Sequence, residues 1–176
     1  MTDKFDQLTS DPETDHAISE EQLKRHYDFL ITDLAVSDFT LVKAFLAPSQ
    51  GSLDYQKVMF IGLSSKMKRL ESSSLRHLAG IAEMRRVLKA DTDHWTSLAA
   101  ARRQPRMPDA LWETTRGCVA VEYDVGSYSP TQIQEKVKSF KRYVGQVWGT
   151  PSQERMKHLN HLLQSANPSC VYAPWC

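Results

Sequence analysis

Two stretches of the chain carry the same helix-start signature, Ser129-Pro130-Thr131-Gln132 and Thr150-Pro151-Ser152-Gln153. In the first, Ser129 is the cap, Pro130 takes the first helical position, where its missing N–H costs nothing, and Gln132 closes a capping box. The second repeats the pattern with Thr150, Pro151 and Gln153. Each follows a short apolar, β-branched run, "GCVAVEYD" or "QVWG". The helix from Pro130 to Val144 is expected to bury Ile133, Val137, Phe140 and Val144, and the next one Met156, Leu159, Leu162 and Leu163. "RMPDALWETT" stands before "GCVAVEYD" with Gly117 between them, which reads as a hairpin, and "SCVYAPW" reads as a last strand after Asn167 and Pro168. The second half is therefore β-β-α-β-α-β, a small mixed β-sheet flanked by helices.

The first half reads as helical. Residues 1–17 are polar and without periodicity, and are expected to form a flexible acidic arm. Ser19 with Gln22 is a second capping box, and Leu23, Tyr27, Leu30, Ile31 and Leu34 follow at helical spacing. Helices are also expected at about 38–46, at 53–70 through Val58, Ile61, Leu63, Met67 and Leu70, and at about 74–89. "SDFTLVKAFLAPSQGSLDYQKVMF" does not make a helix-turn-helix, because its loop is too long and its second segment lacks a base-reading polar face. The fold class expected is α+β (α/β-like), divided into the arm, a helical region over 18–90 and an α/β core over 91–176.

The net charge of +1 hides an asymmetry: residues 1–56 carry −7, residues 57–116 carry +6 and residues 117–176 carry +2. A basic middle beside an acidic start implies either a polyanion-binding face or an internal acidic partner for it. Arg76, Arg85, Arg86, Arg102, Arg103 and Arg106 are the candidate DNA contacts, with Lys66, Lys68, Arg69 and Lys89 beside them. No run of eighteen apolar residues exists, so no membrane span is expected. The acidic start does not read as a signal peptide, and three cysteines, an odd count, fit reduced thiols in a cytoplasmic protein.

Strand alternation puts Ala120, Glu122 and Asp124 on one face, and Val119, Val121 and Tyr123 on the other. Asp109 begins the preceding strand, so a hairpin brings it towards Glu122 and Asp124. Carboxylates gathered at one sheet end repel unless a cation or base neutralises them. Two outcomes stay open here: Asp109, Glu122 and Asp124 hold a hard cation such as Mg²⁺ or Mn²⁺, or they are structural, with Asp109 a turn residue, Glu122 paired with an arginine such as Arg102, Arg103 or Arg106, and Asp124 ending the strand.

"RMPDALW", then "GCVAVEYDVGSYSP", then a helix with "KVKSFKRY", resembles the replication-relaxation proteins of bacterial plasmids and other mobile elements. The matching positions are Pro108, Asp109 and Ala110; Glu122, Asp124, Gly126 and Ser127; Lys136 or Lys138; and Tyr143. The upstream "SLRHLAGIAEMRRVL" is similar to the helix before the sheet in that family, with His77 at its marked histidine. The resemblance implies a restriction-endonuclease-like, PD-(D/E)xK core. There an Asp and a Glu bind the metal and a lysine orients the attacking water. The chain departs from it in having Asp124 where that lysine stands, so Lys136 or Lys138 would have to replace it. It also departs in that no winged helix reads out of residues 18–70.

Three functions follow as expectations. The first is a DNA-associated protein with a nuclease-like core that hydrolyses phosphodiesters with Mg²⁺ or Mn²⁺, using Asp109, Glu122, Asp124 and Lys136 or Lys138. The second is a non-catalytic DNA-binding or regulatory protein on the same scaffold, as a homodimer. The third is a protein–protein adaptor using the acidic arm.

Overall fold

The computed structural model describes residues 2–34, 38–98, 106–163 and 169–176. The second half forms as the two capped helices require, except that the first ends at Ser139 and leaves Val144, expected to be buried, exposed. Strands β4 (Trp95–Ser97), β5 (Ala110–Thr114), β6 (Gly117–Tyr123), β7 (Gly145–Thr150) and β8 (Ser169–Tyr172) make one sheet in that order. The first three are antiparallel, and β7 and β8 run parallel to β6. Helices α4 (Pro130–Ser139) and α5 (Gln153–Leu163) make the two crossovers. They lie on one face, where Ala120 and Trp148 pack with Ile133, Phe140, Leu159 and Leu163. The Ser129 box forms as expected, the Ser129 amide donating to Gln132 Oε1 at 2.8 Å. At α5 the cap falls later: Ser152, not Thr150, accepts the Arg155 amide at 3.2 Å.

The first half corrects several helical expectations. The segments at 38–46 and 53–70 are β2 (Thr40–Leu46) and β3 (Gln56–Gly62), followed by a 3₁₀ turn at Ser65–Arg69. With β1 (Ile18–Ser19) they form an antiparallel sheet of order β1-β3-β2. Ala44, Leu46, Val58 and Phe60 point to the main core, while Leu41 and Ile61 point the other way into a second cluster with Leu8, Leu23 and Tyr27. Apolar residues on both faces erase the alternation that marks a strand. The Ser19 box is present, but the helix it opens is short. Helix α2 (Glu20–Gln22) runs into a π turn at Leu23–Tyr27 that ends at Asp28 in the left-handed region, φ 63°. Among the described residues no helix is long and apolar enough to cross a membrane.

The expected flexible arm is instead α1 (Thr2–Asp15). Charge pairs hold it beside the buried Leu8. Arg85 donates to Asp15 Oδ1 and Oδ2, each at 2.8 Å, and to Asp11 Oδ1 at 2.6 Å. Arg86 donates to Asp11 Oδ2 at 2.6 Å and to the Tyr27 hydroxyl. Both arginines come from α3 (Ser72–Val87), which covers the other face of the five-stranded sheet. Helix and sheet approach so closely that a Cβ on Gly80 would fall inside the Tyr123 ring, and one on Gly149 would meet Met84 Sδ.

Two outcomes follow for stability. Gly80→Ala should lower the melting temperature, because overpacking costs about 1–3 kcal/mol against a helix-propensity gain of about 1. Arg85→Ala should cost about 3–5 kcal/mol in urea unfolding, since it leaves Asp11 and Asp15 buried without their main base.

Candidate functional site

The β5–β6 hairpin sets the site. Ala110 pairs with Val121 and the Asp109 amide donates to Val121 O at 3.0 Å, so Asp109 lies across from Glu122, as strand alternation requires. Asp109, Glu122 and Asp124 are all buried, and each is answered by a different partner.

Asp109 is held from α3 and from β6. His77 Nε2 lies 2.9 Å from Asp109 Oδ1, and the Tyr123 amide donates to Oδ2 at 2.9 Å. Burial works to raise this carboxyl, but His77, by charge and by hydrogen bond, outweighs it with help from Lys136 and the Tyr123 amide. The net effect is a value below the usual one.

Glu122 is held from α4. Its Oε1 accepts from the Tyr128 hydroxyl at 2.7 Å and lies 2.7 Å from Lys136 Nζ. Lys136 also sits over the Tyr128 and Phe140 rings, 5.1 and 5.5 Å from their centres. Oε2 is buried with no hydrogen-bond partner among the described residues. Complete burial, and then the Asp109 charge, push this carboxyl well above its ordinary 4.5 against the pull of Lys136 and Tyr128. The two carboxyls are pushed in opposite directions, Asp109 down and Glu122 up, the pattern of acids that share a site.

Asp124 leaves that pair. Its Oδ1 accepts the Gly126 and Ser127 amides at 2.8 and 3.0 Å, folding the chain into the turn before α4. Its Oδ2 accepts from Arg155 Nε at 2.8 Å, and Arg155 also donates to Tyr128 O at 2.6 Å. Gly126, at φ 95°, supplies the left-handed residue of the turn.

Of the two candidate lysines, Lys136 reaches the acids, and Lys138 lies exposed on the far side of α4. Tyr143 is away from them, packed on Phe140 under Arg142. Tyr128 and Arg155 are the site residues that sequence reasoning missed. Arg155 pairs across 31 positions of sequence, and the only hint of it is that a buried acid at a strand end needs a base.

The candidate DNA-binding arginines separate. Arg85 and Arg86 turn inward onto Asp11 and Asp15, so the internal acidic partner, not an open phosphate-binding face, accounts for them. Arg76 is half-buried and donates to Ala47 O at 2.9 Å. Arg106 is exposed, its carbonyl accepting from Arg142, and Arg102 and Arg103 lie outside the described residues. Trp95 and Trp148 are core residues of different clusters, and Trp112 is half-buried against the cluster that holds Trp95. Cys170 packs on the α4–α5 face and Cys176 on the α3 face. Burial raises both thiols, to about 12 and about 11.

Fold and site define an α+β protein with a cluster of buried, base-paired acids at one end of a mixed sheet. The replication-relaxation family matches residues 43–158, from within β2 to within α5, and the chain belongs to that family. The match takes in His77, Asp109, Glu122, Asp124, Lys136 and Arg155 and places the protein among those of replication and mobile elements. Comparison with curated proteins and with solved structures gives no significant match.

The raised Glu122 has a pH consequence. A carboxyl whose folded value lies above its unfolded one contributes stability that is complete below about 4.5 and is lost as pH rises through the folded value. Asp109, which is depressed, contributes fully above 3.8 and adds no slope at neutral pH. Glu122→Gln keeps the Oε1 acceptor and removes the titration. Urea midpoints of the two proteins should therefore diverge as pH rises above about 5, with the variant gaining on the wild type.

Proposed function

We propose that the protein binds DNA in the replication of a mobile element, and that its acid cluster frames the core instead of hydrolysing phosphodiesters. The observation that carries this is that each acid already has a basic partner inside the fold. Asp109 has His77 and the Tyr123 amide, Glu122 has Lys136 and Tyr128, and Asp124 has Arg155 and two turn amides. Mg²⁺ or Mn²⁺ on Asp109, Glu122 and Asp124 does not fit this donor set, because Arg155 and the turn already occupy both oxygens of Asp124. Among the described residues no three of His, Cys, Asp and Glu gather as a ligand set for a metal ion. The mixed sheet with acids at a strand end is the layout expected of a restriction-endonuclease-like scaffold, here with its acids neutralised from within. Lys66, Lys68 and Arg69, exposed on the turn after β3, are available to phosphates.

A second reading has one observation in its favour. Lys136 arrives from the helix after β6, as a replacement for the missing lysine must, and the buried Glu122 Oε2 faces no partner among the described residues. A supercoiled-plasmid assay with Mg²⁺ or Mn²⁺, run beside a native gel, decides between them. Retardation without nicking is expected from both wild type and Glu122→Gln. Nicking by the wild type that disappears in Glu122→Gln would overturn the proposal in favour of hydrolysis.

A further inference from the structure

The far end of the β2–β3 hairpin carries a surface that neither the fold nor the acid cluster uses. Outward positions near β1 are covered: Leu41 and Ile61 pack against Leu8, Leu23 and Tyr27. Beyond them the same face is open. Phe45 pairs across the strands with Lys57, and Lys43 with Met59. Phe45 is 66% exposed and Tyr55 58%, and their rings stack on each other with centres 5.8 Å apart and planes inclined by 29°. Leu53 at the tip is 90% exposed.

Neither lysine of this face makes an ion pair among the described residues. They sit beside each other instead. The Lys57 amine, by hydrogen bond and by charge, pulls the Lys43 amine below its ordinary value. Like charges side by side on a sheet oppose folding, so this end of the hairpin is built at a cost that a bound anion would remove. Tyr55 also borders a cleft of about 180 Å³ between the loop after β2 and the start of α3, with Arg76 on its wall. The Arg76 Nε is buried there without a partner among the described residues. Lys43 and Lys57 thus share the outward face with the exposed aromatic stack.

We propose that this face, with Phe45 and Tyr55 as the stacking platform and Lys43 and Lys57 as the phosphate contacts, binds an unpaired DNA strand. The proposal rests on the DNA-binding reading and names its surface and partner. Aromatic rings beside cations suit single strands, because every base offers a π-face whatever the sequence. In a duplex those faces are covered by neighbouring base pairs, leaving the rings nothing to stack on. A second copy of this chain fits poorly, since two such faces meeting would bring four lysines together.

The test is fluorescence anisotropy of the full chain with labelled oligothymidine and with a matched duplex, over a range of salt. The variants are Phe45→Ser/Tyr55→Ser and Lys43→Gln/Lys57→Gln. All four side chains lie on the surface, and circular dichroism checks that the variants fold. Oligothymidine should bind more tightly than duplex, and each double variant should weaken it by about tenfold or more. The lysine variant should also lower the slope of log affinity against log salt by about 1.4, about 0.7 for each phosphate it no longer neutralises. Three results would overturn the proposal while leaving DNA binding intact: oligothymidine affinity unchanged in both variants, equal affinity for duplex with the same losses, or polyglutamate competing as well as unlabelled oligothymidine. A wild type that binds neither DNA would remove the DNA-binding reading, and this surface with it.

Discussion

Three carboxylates at one end of a hairpin each take a base from a different helix, and the layout of the second half depends on that. Asp109 takes His77 from α3, Glu122 takes Lys136 from α4, and Asp124 takes Arg155 from α5. The helices lie on both faces of the sheet, so the acids fix the angle and depth of each against a common point. Apolar packing alone would tolerate rotation of a helix about its axis, whereas an ammonium 2.7 Å from a buried carboxylate does not. Helix α1 is fixed by the same means with the signs reversed, its two aspartates placed on the arginines of α3.

Buried ion pairs are poor sources of net stability, because desolvating both partners offsets most of their attraction, yet losing one partner is severe. The Glu122–Asp109 pair shows how the core limits that cost. Two ionised carboxylates so close in a dry setting would repel strongly. The raised proton affinity of Glu122 relieves that repulsion, while His77 and Lys136 lie against the two acids from different helices. A proton on Glu122 would also lower the cost of burying its unpartnered Oε2.

What the sequence makes legible tracks where the information is local. The capping box at Ser129, the alternation of Glu122 against Tyr123 and the pairing of Asp109 with Glu122 all follow from spacing within a few residues or one hairpin, and the structure has them. Lys136 could be named as a candidate but not chosen over Lys138, since the choice depends on which face of α4 meets the sheet. Arg155 and Tyr128 depend on contacts across a crossover and a turn and leave no periodic trace. The strands at Thr40–Leu46 and Gln56–Gly62 are obscured for another reason: both of their faces are apolar near β1, so the period of two that marks a half-buried strand is absent. Helix α1 lacks a signal because its anchor is electrostatic, and charge pairing with residues 70 and 74 positions away has no local pattern.

The same long-range pairing changes what the charge asymmetry means. A −7 start beside a +6 middle suggests an open basic surface only if the two do not meet. They do meet: Asp11 and Asp15 consume Arg85 and Arg86, the most conspicuous basic pair of the middle segment. Positive charge without an ion pair among the described residues includes Lys43 and Lys57 of the hairpin and Lys66, Lys68 and Arg69 of the turn that follows it. The hairpin also carries the only stacked pair of exposed aromatic rings among the described residues. Charge that is spent inside the fold organises the helices, and charge that is left over marks the surface where a partner has something to neutralise.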